Sequence, residues 1–271
     1  MGAWSALTGS SAIFTLPLRI ALKTRSRKTA LTAGLLALVT LLVWHDVLPG
    51  GWRLRGWVVP HAVRQAREQA HLSGERLALF AAENSAAPAD SVVFLGSSTV
   101  QYFPLETAFP GRPALNRGIA GESAGELLAR LHTSLPREEP AAAIVYGGSI
   151  DFRREGAAPA EVARRVEEVL LALRARVPDL PIALLGILPE RDMEAALVAR
   201  LILTNRRLNA LATKLRVAFV STERPPITAP DGSLAPECSV DRWHLNADGY
   251  AHLTRWILRD GGQAGSLLTP Q

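Results

Sequence analysis

The types and spacing of a few polar residues indicate nucleophilic catalysis. Residues 96–99, GSST, follow the apolar run SVVFL and precede a helical pattern, which predicts a tight turn with the Ser98 hydroxyl at a helix N-terminus. Residues 241–244, DRWH, lie late in the chain. A serine needs a base to react at neutral pH, and an aspartate three residues before a histidine can orient that base from one loop. Ser98, Asp241 and His244 are therefore the candidate catalytic residues.

Each of these signals also has a plain structural interpretation. Ser97 or Ser98 could cap a helix, which is a common use of serine. An Asp-x-x-His sequence also occurs at surfaces and helix ends. Among the six histidines, however, only His244 has an aspartate at this spacing. The others lie at predicted helical or membrane-edge positions: His45, His61, His71, His132 and His252.

A glycine-rich segment between these two is a candidate for binding an oxyanion. Residues 116–122, NRGIAGE, follow a predicted strand and precede a predicted helix. Glycines in such a turn allow backbone N–H groups to face a bound oxygen. Turns that enter helices are often rich in glycine, so this segment alone leaves the function open.

Short apolar runs alternate with helical patterns over most of the chain. The alternation predicts βαβ units, a parallel sheet and a three-layer α/β fold with helices on both faces. In such sheets functional groups gather at the carboxyl ends of the strands, where the three segments above lie. Strands are predicted at 91–95, 113–116, 142–146, 182–186 and 217–220, and helices at about 122–135, 159–177, 190–215 and 246–259.

The N-terminal region predicts a membrane anchor. The net charge of +5 comes entirely from Arg19, Lys23, Arg25, Arg27 and Lys28, since residues 1–30 contain no acidic residue. The uncharged run TALTAGLLALVTLLVWH follows. Its length is close to the lower limit of about 17 residues for a spanning helix. We therefore expect a single transmembrane helix over residues 29–48, with the catalytic domain on the extracytoplasmic side of the cell membrane. A cleaved signal peptide and a buried core helix are the alternatives, although no small-x-small cleavage site follows the run.

The predicted organisation has five parts. A lead-in helix is expected over residues 61–84, with an interruption near Ser73-Gly74. The parts are a basic cytoplasmic tail at 1–28, the anchor at 29–48, a connector with the lead-in helix at 49–86, the catalytic domain at 87–262 and a C-terminal tail at 263–271.

Charge and cysteine content exclude some functions. Outside the basic tail the chain carries 25 basic and 25 acidic residues, so no nucleic-acid partner is predicted. Cys238 is the only cysteine, which excludes an intramolecular disulfide. The sequence does not predict an oligomeric state.

Taken in order, four segments resemble the SGNH/GDSL-like serine hydrolase family. VVFLGSSTVQYF resembles the first block of that family and NRGIAGES the second. IVYGGSIDF resembles the third block and DRWHLNADGY the fifth, so that the resemblance covers about residues 90–259. Four blocks in the right order and spacing are far more specific than any one of them.

The resemblance implies a flavodoxin-like sheet and the hydrolysis of esters, thioesters or acetylated sugars without a metal or other cofactor. It maps the nucleophile to Ser98, the triad acid to Asp241 and the base to His244. It maps the backbone donors of the oxyanion hole to Ser98 and Gly121.

Two positions depart from the family pattern. Ser97 stands where the family often has aspartate, although relatives also have serine there. Ile150 stands where the family has an oxyanion-binding asparagine, and isoleucine has no donor to offer. Loss of one such donor typically costs about 10²–10³ in rate. We expect the Ser149 hydroxyl to replace the missing amide in part.

The sequence thus predicts a serine esterase or acyl hydrolase. The expected substrate is an ester or O-acetyl group of an envelope glycan, a lipid or a small molecule. Two alternatives remain, namely a binding module of the same fold that has lost turnover, which Ile150 supports, and an acyltransferase that shares the acyl-enzyme.

Overall fold

The computed structural model of the protein describes residues 61–269 and, before them, residues 34, 35, 38 and 39. The chain divides into two compact units, Met1–Gln65 and Ala66–Gln271. Of the predicted anchor at 29–48, the four described residues are helical and exposed, and the rest lies outside the described residues. Within the described ranges, no helix is both long enough and apolar enough to cross a membrane.

The described region alternates strands and helices. The strands are β1 (Val92–Gly96), β2 (Ala114–Gly118), β3 (Ala142–Tyr146), β4 (Ile182–Leu185) and β5 (Ala218–Val220). The helices are α1 (His61–Asn84), α2 (Ser98–Gln101), α3 (Leu105–Ala108), α4 (Ala124–Ala129), α5 (Leu131–Ser134), α6 (Ser149–Arg153), α7 (Pro159–Arg176), α8 (Ala195–Leu215), a 3₁₀ turn (Pro236–Cys238), α9 (Ala247–Asp260) and α10 (Gly262–Ser266).

The five strands form one parallel sheet in the order β2-β1-β3-β4-β5. This is the flavodoxin-like order, in which the chain reverses its direction of winding between β1 and β3. All five predicted strands are confirmed, with ends shifted by one or two residues at most. The loops after β1, β2 and β3 consequently meet at the carboxyl edge beside the reversal, where α/β folds bind ligands.

Residues of the central strands alternate between two apolar cores, one on each face of the sheet. In β1, Val93 and Leu95 pack in the core formed with α4, α7 and α8. Val92 and Phe94 pack in the opposite core, which contains residues of α2, α3 and α9. Because both faces are covered, β1 is buried along its whole length. The three-layer α/β prediction is confirmed.

Helix α1 packs against the β2 side of the sheet. Its Phe80 is fully buried, and the guanidinium of Arg117, in β2, lies 4.9 Å from the Phe80 ring centroid. Arg76 Nε donates to the Gly118 carbonyl at 3.1 Å. The helix continues through Ser73 and Gly74, so the predicted interruption is wrong. A glycine costs only about 1 kcal/mol inside a helix, and contacts on both sides of it hold the segment in place.

Two further segments differ from expectation in detail. The pattern at 122–135 forms two short helices, α4 and α5. The Ser123 side chain begins α4 in a capping box with Glu126, and Arg130 separates the two helices. Beyond residue 262 the chain forms α10 and then buries Leu268 completely in the core on the α9 face.

Candidate active site

Ser98 lies in the turn that joins β1 to α2. Ser97 is the N-cap residue and Ser98 the first residue of the helix, as the sequence predicted. Ser98 is 8% exposed and lines the cleft described below. Its backbone N–H is in the first turn of α2 and has no partner within that helix.

Asp241 and His244 lie in the loop that precedes α9. Asp241 Oδ2 is 2.7 Å from His244 Nδ1, while Asp241 Oδ1 accepts hydrogen bonds from the backbone N–H groups of Trp243 and His244 at 2.7 and 2.8 Å. One carboxylate therefore fixes both the ring and the backbone that carries it. Burial alone would raise the pKa of Asp241, but these hydrogen bonds outweigh it and hold that pKa below its usual value.

A cleft of about 550 Å³ brings the predicted residues together. Ser98, Gly121 and His244 all line it, although they are distant in sequence. Asp241 lies behind His244 and holds its ring from outside this cleft. Among the described residues, no hydrogen bond joins the Ser98 hydroxyl to the His244 ring. Catalytic bonds of this kind are often long in free enzymes and tighten on substrate binding.

The turn after β2 places a backbone donor at the cleft. Gly121 has φ of +80°, a conformation that favours glycine, and a Cβ there would approach Gln69 Oε1 to 3.2 Å. Within the described part of the chain, the N–H groups of Ser98 and Gly121 donate no hydrogen bond. Both remain available to an oxygen bound in the cleft.

The structure does not bring the Ser149 side chain into the cleft. Gly148 opens α6 with φ of +86°, and Ser149 is 1% exposed, with its Oγ 3.0 Å from Ser97 Oγ. Ile150 lines the cleft instead. The Ser149 hydroxyl therefore braces the residue that precedes Ser98, and in this arrangement it is not directed at a bound substrate.

Several residues of the cleft were not predicted from the sequence. The loop after β4 contributes Glu190, which is buried and whose Oε2 accepts from Arg242 Nε at 3.0 Å and from Trp243 Nε1 at 3.2 Å. Glu190 thus holds the loop between Asp241 and His244. No local motif marks such a residue. The remaining lining residues are Gln69 of α1, Tyr102, Ala120, Arg153 and Arg154, together with Arg242 and Trp243 of the loop itself.

The candidate site contains no metal-binding arrangement. Across residues 61–269, no three His, Cys, Asp or Glu side chains are grouped so that they could hold an ion.

Comparison with known proteins decides the family. The model of the GDSL-like Lipase/Acylhydrolase family matches residues 90–252, more than half of the chain. The chain belongs to this family. As a GDSL-like acylhydrolase it is an enzyme that hydrolyses esters.

Individual known proteins are similar to this GDSL-like acylhydrolase. The human platelet-activating factor acetylhydrolase IB subunit alpha2 is 29% identical over 170 residues, which cover 60% of this chain and 72% of that protein. A solved protein of Streptococcus pneumonia, named for platelet activating factor, superposes with a TM-score of 0.65 at 24% identity and covers 72% of this chain and 96% of its own. A GDSL-like lipase from Bacteroides thetaiotaomicron superposes with a TM-score of 0.54 at 20% identity. The match covers 68% of this chain and 95% of that protein. The two structures share the fold.

Proposed function

We propose that this GDSL-like acylhydrolase cleaves esters with Ser98 as nucleophile, His244 as general base and Asp241 as the residue that orients His244. The observation that carries the proposal is the shared cleft, which Ser98 and His244 line while Asp241 holds the His244 ring from behind. A histidine held at Nδ1 by a carboxylate presents Nε2 as the base.

The reaction proceeds in two halves. Ser98 Oγ attacks the ester carbonyl while His244 Nε2 takes its proton, and His244 then gives that proton to the leaving alcohol. An acyl-enzyme remains on Ser98. Water attacks it with His244 again acting as the base, the bond from the acyl carbon to Ser98 Oγ breaks, and His244 returns the proton to Ser98 Oγ as the acid product leaves. During each half the N–H groups of Ser98 and Gly121 stabilise the charged oxygen.

The proposed substrate has a short acyl group. The chain is similar to a protein named as an acetylhydrolase, and Ile150 and Tyr102 give the cleft apolar lining. The proposed bearer of the acyl group is a glycan, a lipid or a small molecule of the cell envelope. Support for that location comes from the basic cluster beside the apolar run at 29–48, which fits an anchor with the enzyme on the extracytoplasmic side.

The proposal is tested with a fluorophosphonate probe and a short-chain activated ester on the full chain. We expect covalent labelling and turnover, and we expect both to vanish in Ser98→Ala because this change removes the proposed nucleophile. Ser97→Ala is the matched control, since it removes the neighbouring hydroxyl and should keep the labelling. Labelling that persists in Ser98→Ala would show that the nucleophile is another residue.

A second expected result concerns the missing oxyanion donor. Ile150→Asn should raise kcat, by as much as about 10²–10³-fold if the amide reaches the oxyanion, because an absent donor costs about that much. Ile150→Leu has the shape of asparagine without its donor and should leave kcat nearly unchanged. Equal rates for the two variants would mean that the N–H groups of Ser98 and Gly121 suffice.

A further inference from the structure

The lining of the cleft is rich in positive charge. Arg153, Arg154 and Arg242 line it, and Glu190 is the only carboxylate among the lining residues of the described chain. The chain outside the basic tail has equal numbers of acidic and basic residues. The excess of charge is therefore local to the cleft.

Arg153 is the most buried of the three. Its side chain is 10% exposed, and Nη2 donates to the Leu188 carbonyl at 2.9 Å. Its Nε is buried without a hydrogen-bond partner among the described residues and lies 3.6 Å from Glu190 Oε1. A buried donor of this kind costs free energy unless a partner binds.

The single carboxylate cannot neutralise all three arginines. Glu190 Oε2 already accepts from Arg242 and Trp243, and its Oε1 faces Arg153. Arg154 is exposed and donates instead to the Gly121 carbonyl at 2.7 Å. Arg154 thus adds a charge beside the proposed oxyanion donor.

Other carboxylates near the cleft are committed elsewhere. Glu122 pairs with Arg130 at 2.6 Å. Asp151 pairs with Arg165 at 2.8 Å, and Glu155 contacts the same guanidinium. Asp241, just outside the cleft, is bonded to His244 and to the loop backbone. Among the described residues, the arginines of the cleft therefore outnumber the carboxylates that pair with them, and a concave site concentrates the resulting field.

We propose that the substrate is an ester whose alcohol portion carries an anionic group, such as a phosphate, a sulfate or a carboxylate. The inference rests on the proposed function. His244 delivers the proton to the leaving alcohol, so that portion passes along the loop of Arg242 and Trp243. Arg242 belongs to this loop, Glu190 pairs with both Arg242 and Arg153, and Arg154 also lines the cleft. A guanidinium matches the geometry of such oxyanions with two parallel donors.

The test compares two acetyl esters of the same shape, 4-acetoxybenzoate and the neutral 4-acetoxybenzamide, on the full chain. We expect kcat/KM to be about tenfold higher for the anion at low ionic strength, mainly through a lower KM, because hydrogen bonds between charged groups are stronger than neutral ones. The preference should shrink as sodium chloride is added, since salt screens partly exposed charges.

Variants locate the effect. Arg154→Gln and Arg242→Gln should each lower the ratio of the two kcat/KM values several-fold. Arg164→Gln removes the same charge from an exposed ion pair on α7 that does not line the cleft, and it should leave the ratio unchanged.

The outcomes separate the two proposals. If wild type hydrolyses both esters equally well and Ser98→Ala hydrolyses neither, the charge preference is wrong and the proposed function stands. A preference that survives in both arginine variants also overturns the inference. If neither ester reacts and the fluorophosphonate probe does not label Ser98, the proposed function itself fails.

Discussion

Asp241→Asn is expected to lower kcat for ester hydrolysis by about 10⁴-fold while leaving the fold intact, the effect of the same change in a serine protease triad. Asp241 Oδ2 faces His244 Nδ1 and Oδ1 accepts from two backbone N–H groups, so the carboxylate uses both oxygens as acceptors. An amide offers one acceptor and one donor. If its oxygen keeps the backbone bonds, its NH₂ group meets Nδ1, favours the wrong tautomer and places the proton on Nε2.

The measurement is kcat on a short-chain activated ester together with the thermal unfolding midpoint. Asp231→Asn is a matched control, because Asp231 is also an exposed loop aspartate that accepts from the backbone N–H and hydroxyl of Ser233 but lies outside the cleft. A midpoint that is unchanged while kcat falls identifies an orienting role. Retention of more than about a tenth of the activity would contradict the triad, given the loss expected above.

The pH dependence of the Asp241 contact has a definite sign. Its pKa in the folded protein lies below the ordinary value, because hydrogen bonds from His244 and the loop backbone outweigh the effect of burial. The contact therefore contributes stability fully above the ordinary pKa and loses it only as the pH falls through the lowered value. Asp241→Asn should abolish this acid-side dependence.

The second large effect is on stability. Arg130→Met should lower the free energy of unfolding by about 3–5 kcal/mol, the cost of removing one partner of a buried ion pair. Arg130 and Glu122 have side chains only 6% and 9% exposed and are 2.6 Å apart. Arg130 Nη2 also donates to the carbonyls of Gly96 and Arg117 at 3.3 and 3.0 Å, at the carboxyl ends of β1 and β2.

Urea denaturation of paired variants checks this result. Adding Glu122→Gln to Arg130→Met removes the stranded carboxylate and should recover part of the loss. Arg164→Met, at an exposed ion pair, should cost less than about 1 kcal/mol. If the double variant is no more stable than Arg130→Met, the cost lies in the lost carbonyl contacts.

Acid should also rescue Arg130→Met in part. Burial raises the pKa of Glu122 above its usual value even with Arg130 present. A carboxyl whose pKa is raised by folding destabilises the protein when it is charged. This penalty declines as the pH falls below the raised pKa and is gone below the ordinary value. The stability difference between Arg130→Met and wild type should therefore narrow toward acidic pH.

The sequence predicted the elements whose signals are local. Strands β1 and β3 are uninterrupted apolar runs, and the four family-like segments lie in the loops where a parallel sheet requires them. The Asp241–His244 contact was also predictable, because three residues separate the partners. Ordinary βαβ geometry then brings these loops to one edge.

Other parts of the site depend on contacts between distant segments. Glu190 is defined by its partners Arg242 and Trp243, more than fifty residues later in the chain. The Ser149 hydroxyl, expected to replace the missing amide in part, lies 3.0 Å from the Ser97 hydroxyl, a contact between residues 52 positions apart. No local propensity encodes either arrangement.

Helix α1 has a consequence for any shortened or spliced form of the enzyme. The family match begins at residue 90, after α1 has ended, yet Gln69 lines the cleft and Phe80 is fully buried against Arg117. A chain cut at residue 87 would expose that guanidinium and remove one wall of the cleft. Successive residues of an α-helix are rotated by about 100° around the helix axis. Deleting one residue between Gln69 and Phe80 would therefore turn one of the two side chains away from its present contacts. The number of residues between Gln69 and Phe80 is therefore fixed by the contacts that both side chains make.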